Sequence, residues 1–182
     1  MTTSIGNYTS RRDFEELVLP HLDAGYRLAR WLTRNEHDAE DVVQEAALRA
    51  FRSLRTFSGG NARAWFLTIV RNTCYRSLGR KPQQQADVFD EEQHSAGEPA
   101  TTPETLMLQA ADTMLVEQAL RDLPDRFREL LVLREFEGLS YKELATVLDL
   151  PMGTVMSGLS RARRAFHRTM TARLAHANRQ LV

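Results

Sequence analysis

Two consecutive helix signals in the segment 139–168 constrain the fold of this chain more than any other feature. Ser140 and Glu143 have the S-x-x-E spacing of a capping box, in which the hydroxyl and the carboxylate each bind a backbone amide at a helix start. Pro151 and Gly153 follow, and residues of this kind end one helix and start the next. The segment therefore predicts a helix, a tight turn and a second helix.

The second of these predicted helices has an apolar face and a basic face. The residues that recur at helical spacing and should face a core are Val155, Leu159, Ala162 and Phe166. The other face carries Met156, Ser157, Ser160, Arg161 and Arg164. Amides at a helix start, here near Gly153 and Thr154, favour a phosphate, and arginine binds phosphate or a guanine edge. The pattern indicates a reader of the DNA major groove, and a solvated face of an ordinary helical hairpin is the alternative.

Charge is segregated along the chain, although Lys plus Arg and Asp plus Glu both number 24. Residues 46–86 and 151–182 contain no acidic residue, and residues 82–120 between them contain no basic one. Two basic blocks separated by an acidic one suggest two contacts with a polyanion. Overall neutrality is therefore no argument against nucleic-acid binding.

Length and composition favour a soluble helical protein. The chain has 182 residues, 42% of them apolar, which is enough for one domain or two small ones. Helical periodicity recurs without strand alternation, so we predict an all-α fold. The sequence has neither a long apolar run nor a secretory signal, so we expect a cytoplasmic protein without membrane insertion. Cys74, the single cysteine, should fill space in a helix core.

The stretch 81–103 divides the predicted helices into two groups. It holds prolines, a glycine and consecutive glutamines, with little to bury, so we predict a flexible linker between domains 1–80 and 104–182. The predicted helices before the linker are 12–33, 38–53 and 61–78, and those after it are 103–122, 124–137, 140–148 and 151–175.

The predicted helix 38–53 has a core stripe beside an acidic patch. The stripe consists of Ala39, Val43, Ala46 and Ala50. The patch consists of Asp41, Gln44, Glu45 and Leu48, which recur at helical spacing. Such a patch can dock a basic partner helix, with charge at the rim and apolar contact at the centre. On this patch alone, a solvated helix face is the favoured interpretation.

The predicted helix 61–78 mixes basic and aromatic residues. Those expected to be buried are Phe66, Ile69, Val70 and Thr73, and those expected near the surface are Arg63, Trp65, Arg71, Asn72, Tyr75 and Arg76. This mixture suits single-stranded DNA, because arginine follows the backbone and an aromatic ring stacks on an unpaired base. The preceding loop, with Phe57, Ser58, Gly59 and Asn61, can line a pocket for an extruded base. Ordinary packing of Trp65 and Tyr75 is an equally open alternative.

Taken together, these motifs resemble the extracytoplasmic-function sigma factors, the small two-domain promoter-recognition subunits of bacterial RNA polymerase in the sigma-70 family. The resemblance covers nearly the whole chain. The first domain carries it in DAEDVVQEA at 38–46, AWF at 64–66 and RNT at 71–73. The second carries it in LP at 123–124, LRE at 133–135, GLSY at 138–141, PMGTV at 151–155 and SRAR at 160–163.

The resemblance implies residue roles. Asp41, Gln44 and Glu45, with Leu48 beside them, match the surface that docks on the clamp helices of the largest polymerase subunit. The residues implied to bind the melted minus-10 element are Phe57, Ser58, Gly59, Asn61, Arg63, Trp65, Arg71, Asn72, Tyr75 and Arg76. Those implied to read the duplex minus-35 element are Gly153, Thr154, Met156, Ser157, Ser160, Arg161 and Arg164. Many relatives have a basic residue in place of Met156 and Gly158, so we expect minus-35 affinity to rest on the nearby arginines.

The resemblance also implies partners: core RNA polymerase, promoter DNA and an anti-sigma factor. It implies no cofactor, no small-molecule substrate and no catalytic residue. A response-regulator-like transcription factor is a rival, but it requires an α/β receiver domain that the sequence does not predict. An enzyme is a second rival, but the histidines are scattered and form no catalytic or metal-binding motif.

Overall fold

The computed structural model describes residues 11–80 and 113–180, and this part of the chain is helical, with no strand. The prediction of an all-α fold is confirmed. The predicted linker 81–103 lies outside the described residues. The helices are α1 Arg11–Leu17, α2 Leu22–Thr33, α3 Glu36–Ser53, α4 Ala62–Ser77, α5 Thr113–Asp122, α6 Asp125–Leu131, α7 Tyr141–Leu148 and α8 Met152–Gln180.

The described residues divide into two compact units. The first contains residues 11–80 together with Val132–Leu150, and the second contains residues 113–131 and 151–180. Helix α7 therefore belongs to the same unit as α1 to α4. The domain bounds 1–80 and 104–182 stay a prediction.

The core of the first unit lies between α2, α3 and α4, which pack on one another. Small residues line the inner face of α3, where Ala39, Val42, Ala46 and Ala50 are buried. The prediction that Val43 belongs to this stripe is wrong, since Val43 is half-buried and Val42 takes its place. Large buried side chains of the neighbouring helices, among them Leu28 and Phe66, complete this core.

The first predicted helix, 12–33, is interrupted. Helix α1 ends at Leu17, a short 3-10 turn spans Leu19–His21, and α2 begins at Leu22. Pro20 lies inside the turn, and a proline has no amide to donate and clashes with the preceding turn of an α-helix. The prediction of one continuous helix here is wrong because it gave Pro20 too little weight.

Polar side chains cap α3, α4 and α7. Asn35 accepts a hydrogen bond from the amide of Asp38 at 3.2 Å, and Asn61 accepts one from the amide of Ala64 at 3.1 Å. The capping box of α7 is confirmed: the Glu143 amide donates to the Ser140 hydroxyl at 3.3 Å, and the Ser140 amide donates to the Glu143 carboxylate at 2.7 Å. These bonds fix where α3, α4 and α7 begin, because they satisfy backbone amides that the first turn of a helix leaves without a partner.

In the second unit, α5 and α6 pack against α8. The predicted core of α8 is confirmed, because Val155, Leu159, Ala162 and Phe166 are all buried. The fully buried Arg128 donates to the backbone carbonyls of Arg121 and Leu123, both at 3.2 Å, and so stabilises the end of α5.

An ion pair adds a second connection between α5 and α8. Arg173 donates to Asp122 at 2.8 Å and to the Gln118 amide oxygen at 2.7 Å. The predicted helix 124–137 is α-helical only as far as Leu131, and a π-helical turn continues it over Val132–Phe136.

The contact between α2 and α4 is tight at Gly25. A Cβ at this position would lie 2.8 Å from the Phe66 ring and 3.2 Å from a methyl group of Val70. Overpacking costs about 1–3 kcal/mol, and alanine regains about 1 kcal/mol in helix propensity. We therefore expect Gly25→Ala to lower stability by up to about 2 kcal/mol in thermal unfolding. Gly153→Ala is the matched control, because its Cβ would meet no atom within 4 Å. Equal effects of the two substitutions would contradict the tight contact.

The carboxylate of Glu143 makes the stability of α7 pH-dependent. Its pKa is lowered from 4.5, chiefly by the hydrogen bond from the Ser140 amide. The ionised form is thus favoured in the folded chain, and its contribution is present above the unfolded pKa and lost as pH falls through the folded one. We expect the stability difference between the wild type and Glu143→Gln to shrink as the pH falls through and below the ordinary pKa of glutamate, as measured by urea unfolding. A difference that stays constant would count against this role.

Candidate nucleic-acid interface

Helix α3 presents the predicted acidic patch at the surface. Asp41 and Gln44 are exposed, and Leu48 is 53% exposed although it is apolar. Glu45 is half-buried and pairs with Arg49 at 2.7 Å, one turn further along the helix. The patch therefore combines an exposed apolar side chain, Leu48, with the exposed polar side chains of Asp41 and Gln44. Its fourth member, Glu45, is paired within the same helix.

Phe51 extends this patch by one turn. Its side chain is 48% exposed, and its ring meets the ring of Phe14 from α1 edge-on, with the centroids 5.5 Å apart. Sequence analysis missed Phe51. The spacing from Leu48 to Phe51 is the helical i, i+3 spacing and could have indicated it.

The loop between α3 and α4 follows a 3-10 turn at Leu54–Thr56. Phe57 is only 4% exposed, and its ring lies 5.2 Å from the ring of Trp65, so its side chain anchors the loop and offers no stacking surface for a base. Gly59 and Gly60 have φ values of +90° and +95°, which a residue with a Cβ rarely adopts. Ser58, Gly59 and Asn61 are exposed.

Helix α4 separates the predicted minus-10 residues onto different faces. Trp65, Asn72 and Arg76 lie on the side opposite the buried core residues, where Asn72 and Arg76 are exposed and Trp65 is half-buried. Tyr75 is half-buried at the edge of this side. Buried residues on the core face are Ala64, Phe66, Leu67, Val70, Thr73 and Cys74, as predicted for Phe66, Val70, Thr73 and Cys74. Ile69, which we expected to be buried, is half-buried.

Arg71 differs from its prediction. We expected it near the surface, but it is only 3% exposed. Its guanidinium lies over the ring of Tyr75, 5.0 Å from the centroid. The aliphatic part of an arginine packs readily against apolar groups, and sequence periodicity does not distinguish such a residue from a solvated one.

Arg63 lies on the core side of the first turn of α4, beside residues from Val132–Leu150 in the same unit. It donates to Glu137, which also accepts two hydrogen bonds from Arg27 of α2, at 2.7 and 2.9 Å. The Asn61 amide donates to the Glu143 carboxylate. Burial lowers the pKa of His21 from 6.5, and the positive charge of Arg63 lowers it further.

Helix α8 presents the predicted minus-35 residues. Gly153, Met156, Ser157, Ser160 and Arg164 are exposed, while Thr154 and Arg161 are half-buried. Gly158 is buried. The exposed hydroxyls and arginines lie on the face opposite the apolar core of α8 and can donate hydrogen bonds to phosphates or base edges.

The residues between α7 and α8 end one helix and start the next. Helix α7 ends at Leu148, and Asp149 adopts a left-handed conformation with φ of 56°. The Val155 amide donates to the carbonyl of Pro151 at 3.1 Å, so Pro151 stands at the start of α8, where a proline costs no hydrogen bond.

Residues 11–80 and 113–180 contain neither a candidate metal site nor a candidate membrane-spanning helix. No cluster of His, Cys, Asp and Glu in these ranges could hold a metal ion. Nor does any helix there combine the length and apolar character needed to cross a bilayer.

Comparison with known proteins identifies two family regions in the chain. Residues 17–82 match the model of sigma-70 region 2, and residues 113–166 match that of sigma-70 region 4. The first match contains the α3 patch, the loop and α4. The second contains α7 and the exposed residues of α8 that the sequence assigned to DNA.

Several curated relatives are sigma factors. The chain is 35% identical over 175 residues to the RNA polymerase sigma-H factor of Pseudomonas aeruginosa, covering 92% of this chain and 91% of that protein. It is 38% identical over 136 residues to the sigma-E factor of Escherichia coli, covering 70% and 71%. It is also 33% identical to SigE of Mycolicibacterium smegmatis, covering 87% of this chain but only 62% of that longer relative.

Solved structures give the same result. The sigma factor RpoE of Bartonella quintana, crystallised with the anti-sigma factor NepR, matches with a TM-score of 0.66 and 28% identity, covering 88% of this chain and 98% of that one. CnrH, in complex with the cytosolic domain of CnrY, matches with a TM-score of 0.63 and 27% identity, covering 90% of each chain. The chain therefore belongs to the sigma-70 family, as a member of its extracytoplasmic-function group.

Proposed function

We propose that this protein binds core RNA polymerase and directs promoter-specific transcription initiation, making no covalent bond itself. The observation that carries the proposal is the match to both sigma regions, in order, within one chain. The similarity to the RNA polymerase sigma factor of Pseudomonas aeruginosa also extends over nearly the full length of both proteins. Binding energy, rather than chemistry, is what such a protein supplies.

Polymerase docking is assigned to the α3 patch. Leu48 and Phe51 offer exposed apolar surface, and Asp41 and Gln44 surround it with polar groups. Burial of the apolar centre supplies affinity, and the charged rim selects a basic partner. The exposed aromatic and aliphatic side chains favour this role over that of a solvated helix face.

Recognition of the separated minus-10 strand is assigned to the loop 57–61 and the outer face of α4. Trp65 and Asn72 offer a ring for stacking and an amide for hydrogen bonding on the same side of the helix, with Arg76 one turn beyond Asn72 for the backbone. Extruding a base costs a few kcal/mol, and stacking on an aromatic ring returns about 1–3 kcal/mol per base. Capture of one or two bases is thus enough to stabilise a local opening.

Recognition of the minus-35 duplex is assigned to α8, with Arg161 and Arg164 as its main basic groups. Each mismatched base pair costs about 1–3 kcal/mol in such interfaces, which sets promoter stringency. We assign the two tasks to domains 1–80 and 104–182 as the sequence divides them.

Regulation by an anti-sigma factor follows from the relatives, since the similar RpoE was crystallised with one. A cytoplasmic location follows from the proposed partners, polymerase and chromosomal DNA. The exposed apolar residues of α3 are the surface that such a regulator would gain most by covering.

The α3 patch can be tested by charge insertion. Leu48→Arg should weaken binding to purified core polymerase at least about fivefold, because loss of an apolar contact at the centre of an interface costs about 1–4 kcal/mol. Fluorescence anisotropy of the labelled protein measures this. Leu19→Arg is the matched control, because Leu19 is 44% exposed in the same unit but outside the patch. Similar losses in both variants would contradict the assignment.

The α8 assignment can be tested by removing its arginines. Arg161→Ala with Arg164→Ala should abolish run-off transcription from promoters selected with the wild-type protein, while core polymerase binding persists. Arg11→Ala with Arg12→Ala removes the same charge from exposed positions of α1 and should leave transcription unchanged. If the double α8 variant instead loses polymerase binding, or transcribes normally, the assignment is wrong.

A further inference from the structure

The carboxylate of Glu137 is fully buried in the first unit. Its side chain is 0% exposed, and Arg27 and Arg63 hold it from two different helices. Arg27 binds both of its oxygens, at 2.7 and 2.9 Å, and Arg63 binds one of them. The two guanidinium groups therefore converge on a single anion.

Charge explains why these groups converge. The fully buried Glu137 carboxylate requires a cationic partner, and the two partly exposed guanidinium groups that face it repel each other unless an anion lies between them. The hydrogen bond to Glu137 raises the pKa of Arg27 above its ordinary value, because the carboxylate stabilises the charged guanidinium group. Planar guanidinium groups bind carboxylate and phosphate with the same forked geometry, so a phosphate group can satisfy this pair equally well.

The position of the pair points to the nature of that phosphate. Arg63 stands in the first turn of α4, two residues after the loop assigned to the separated minus-10 strand. Asn61, the last residue of that loop, donates its side-chain amide to Glu143. Two carboxylates from Val132–Leu150 therefore engage polar groups at the loop end of α4, where the loop assigned to DNA joins the helix.

We propose that Arg27 and Arg63 form a binding site for a backbone phosphate of the separated DNA strand, and that Glu137 occupies this site until DNA displaces it. The proposal rests on the proposed function and adds Arg27, which none of the recognised motifs contains. Glu137 acts as a competing anion. The apparent affinity of the free chain for DNA is then reduced by the fraction of molecules in which the site is filled.

Single-stranded DNA binding by the full chain tests the competition. The probe is a fluorescein-labelled, mixed-sequence single-stranded oligonucleotide, titrated by anisotropy at several KCl concentrations without polymerase. Glu137→Gln should bind about tenfold more tightly, because a charge-assisted hydrogen bond to phosphate becomes available. The slope of log K against log salt should steepen by about 0.7 for one additional phosphate contact.

Glu36→Gln is the matched control. Glu36 pairs with Arg30, one turn from Arg27 on α2, so this substitution changes the net charge equally without freeing the proposed site. It should leave affinity and slope unchanged. In the double variant Arg27→Gln with Glu137→Gln, the gain should disappear.

Glu137→Asp is a second variant that keeps the test valid if Glu137→Gln does not fold. It keeps the charge but shortens the side chain, so that it cannot reach both arginines, and it should give a smaller gain. Circular dichroism confirms that each variant is helical. If neither Glu137 variant binds the oligonucleotide more tightly than Glu36→Gln does, or if the gain persists without Arg27, the proposal is overturned.

Binding of core polymerase by the same preparations separates this inference from the proposed function. If polymerase binding is intact and the Glu137 variants show no gain, only the phosphate site is wrong. If the wild-type chain does not bind polymerase, the proposed function itself is wrong.

Discussion

The close approach of α2 to α4 at Gly25 is the contact on which the first unit depends. A single additional carbon there would come within 2.8 Å of Phe66, a side chain that is itself fully buried. Because Phe66 and Val70 are held on this side, the opposite side of α4 is turned outward with Trp65 and Asn72. The geometry of the proposed DNA-binding face thus follows from a packing constraint on the far side of the same helix.

Arginine serves two distinct purposes in this protein. Arg128 and Arg173 complete the second unit by binding carbonyls and side chains of α5, and Arg27 with Arg63 encloses Glu137 in the first. Exposed arginines such as Arg164 lie on the surface assigned to DNA. A basic block in the sequence therefore overstates the charge that the free chain exposes to a polyanion, because Arg63 and Arg173 in these blocks are paired within the fold.

Local patterns predicted much of the fold and of the candidate interface. The capping box at Ser140, the buried face of α8 and the buried Cys74 were all indicated by spacing or residue type, and the structure contains them. The interruption at Pro20 was missed although its signal was present. Periodicity did not predict that Val42 rather than Val43 faces the core, or that Arg71 is buried. Both depend on the packing of neighbouring helices, which a local pattern does not describe.

The sequence by itself determined the helical class, the order of the helices and the polar or apolar character of each helix face. These properties depend on residues within a few positions of one another, where helical geometry relates spacing to direction. Only the tertiary structure decided that Phe57 anchors its loop, that Phe51 extends the exposed patch, and that Glu137 lies between Arg27 and Arg63. Arg27 and Glu137 are 110 positions apart in the chain, and no local pattern relates two charges at that separation. Their contact exists because packing of the helices brings them together, and the burial of Glu137 then requires a cationic partner.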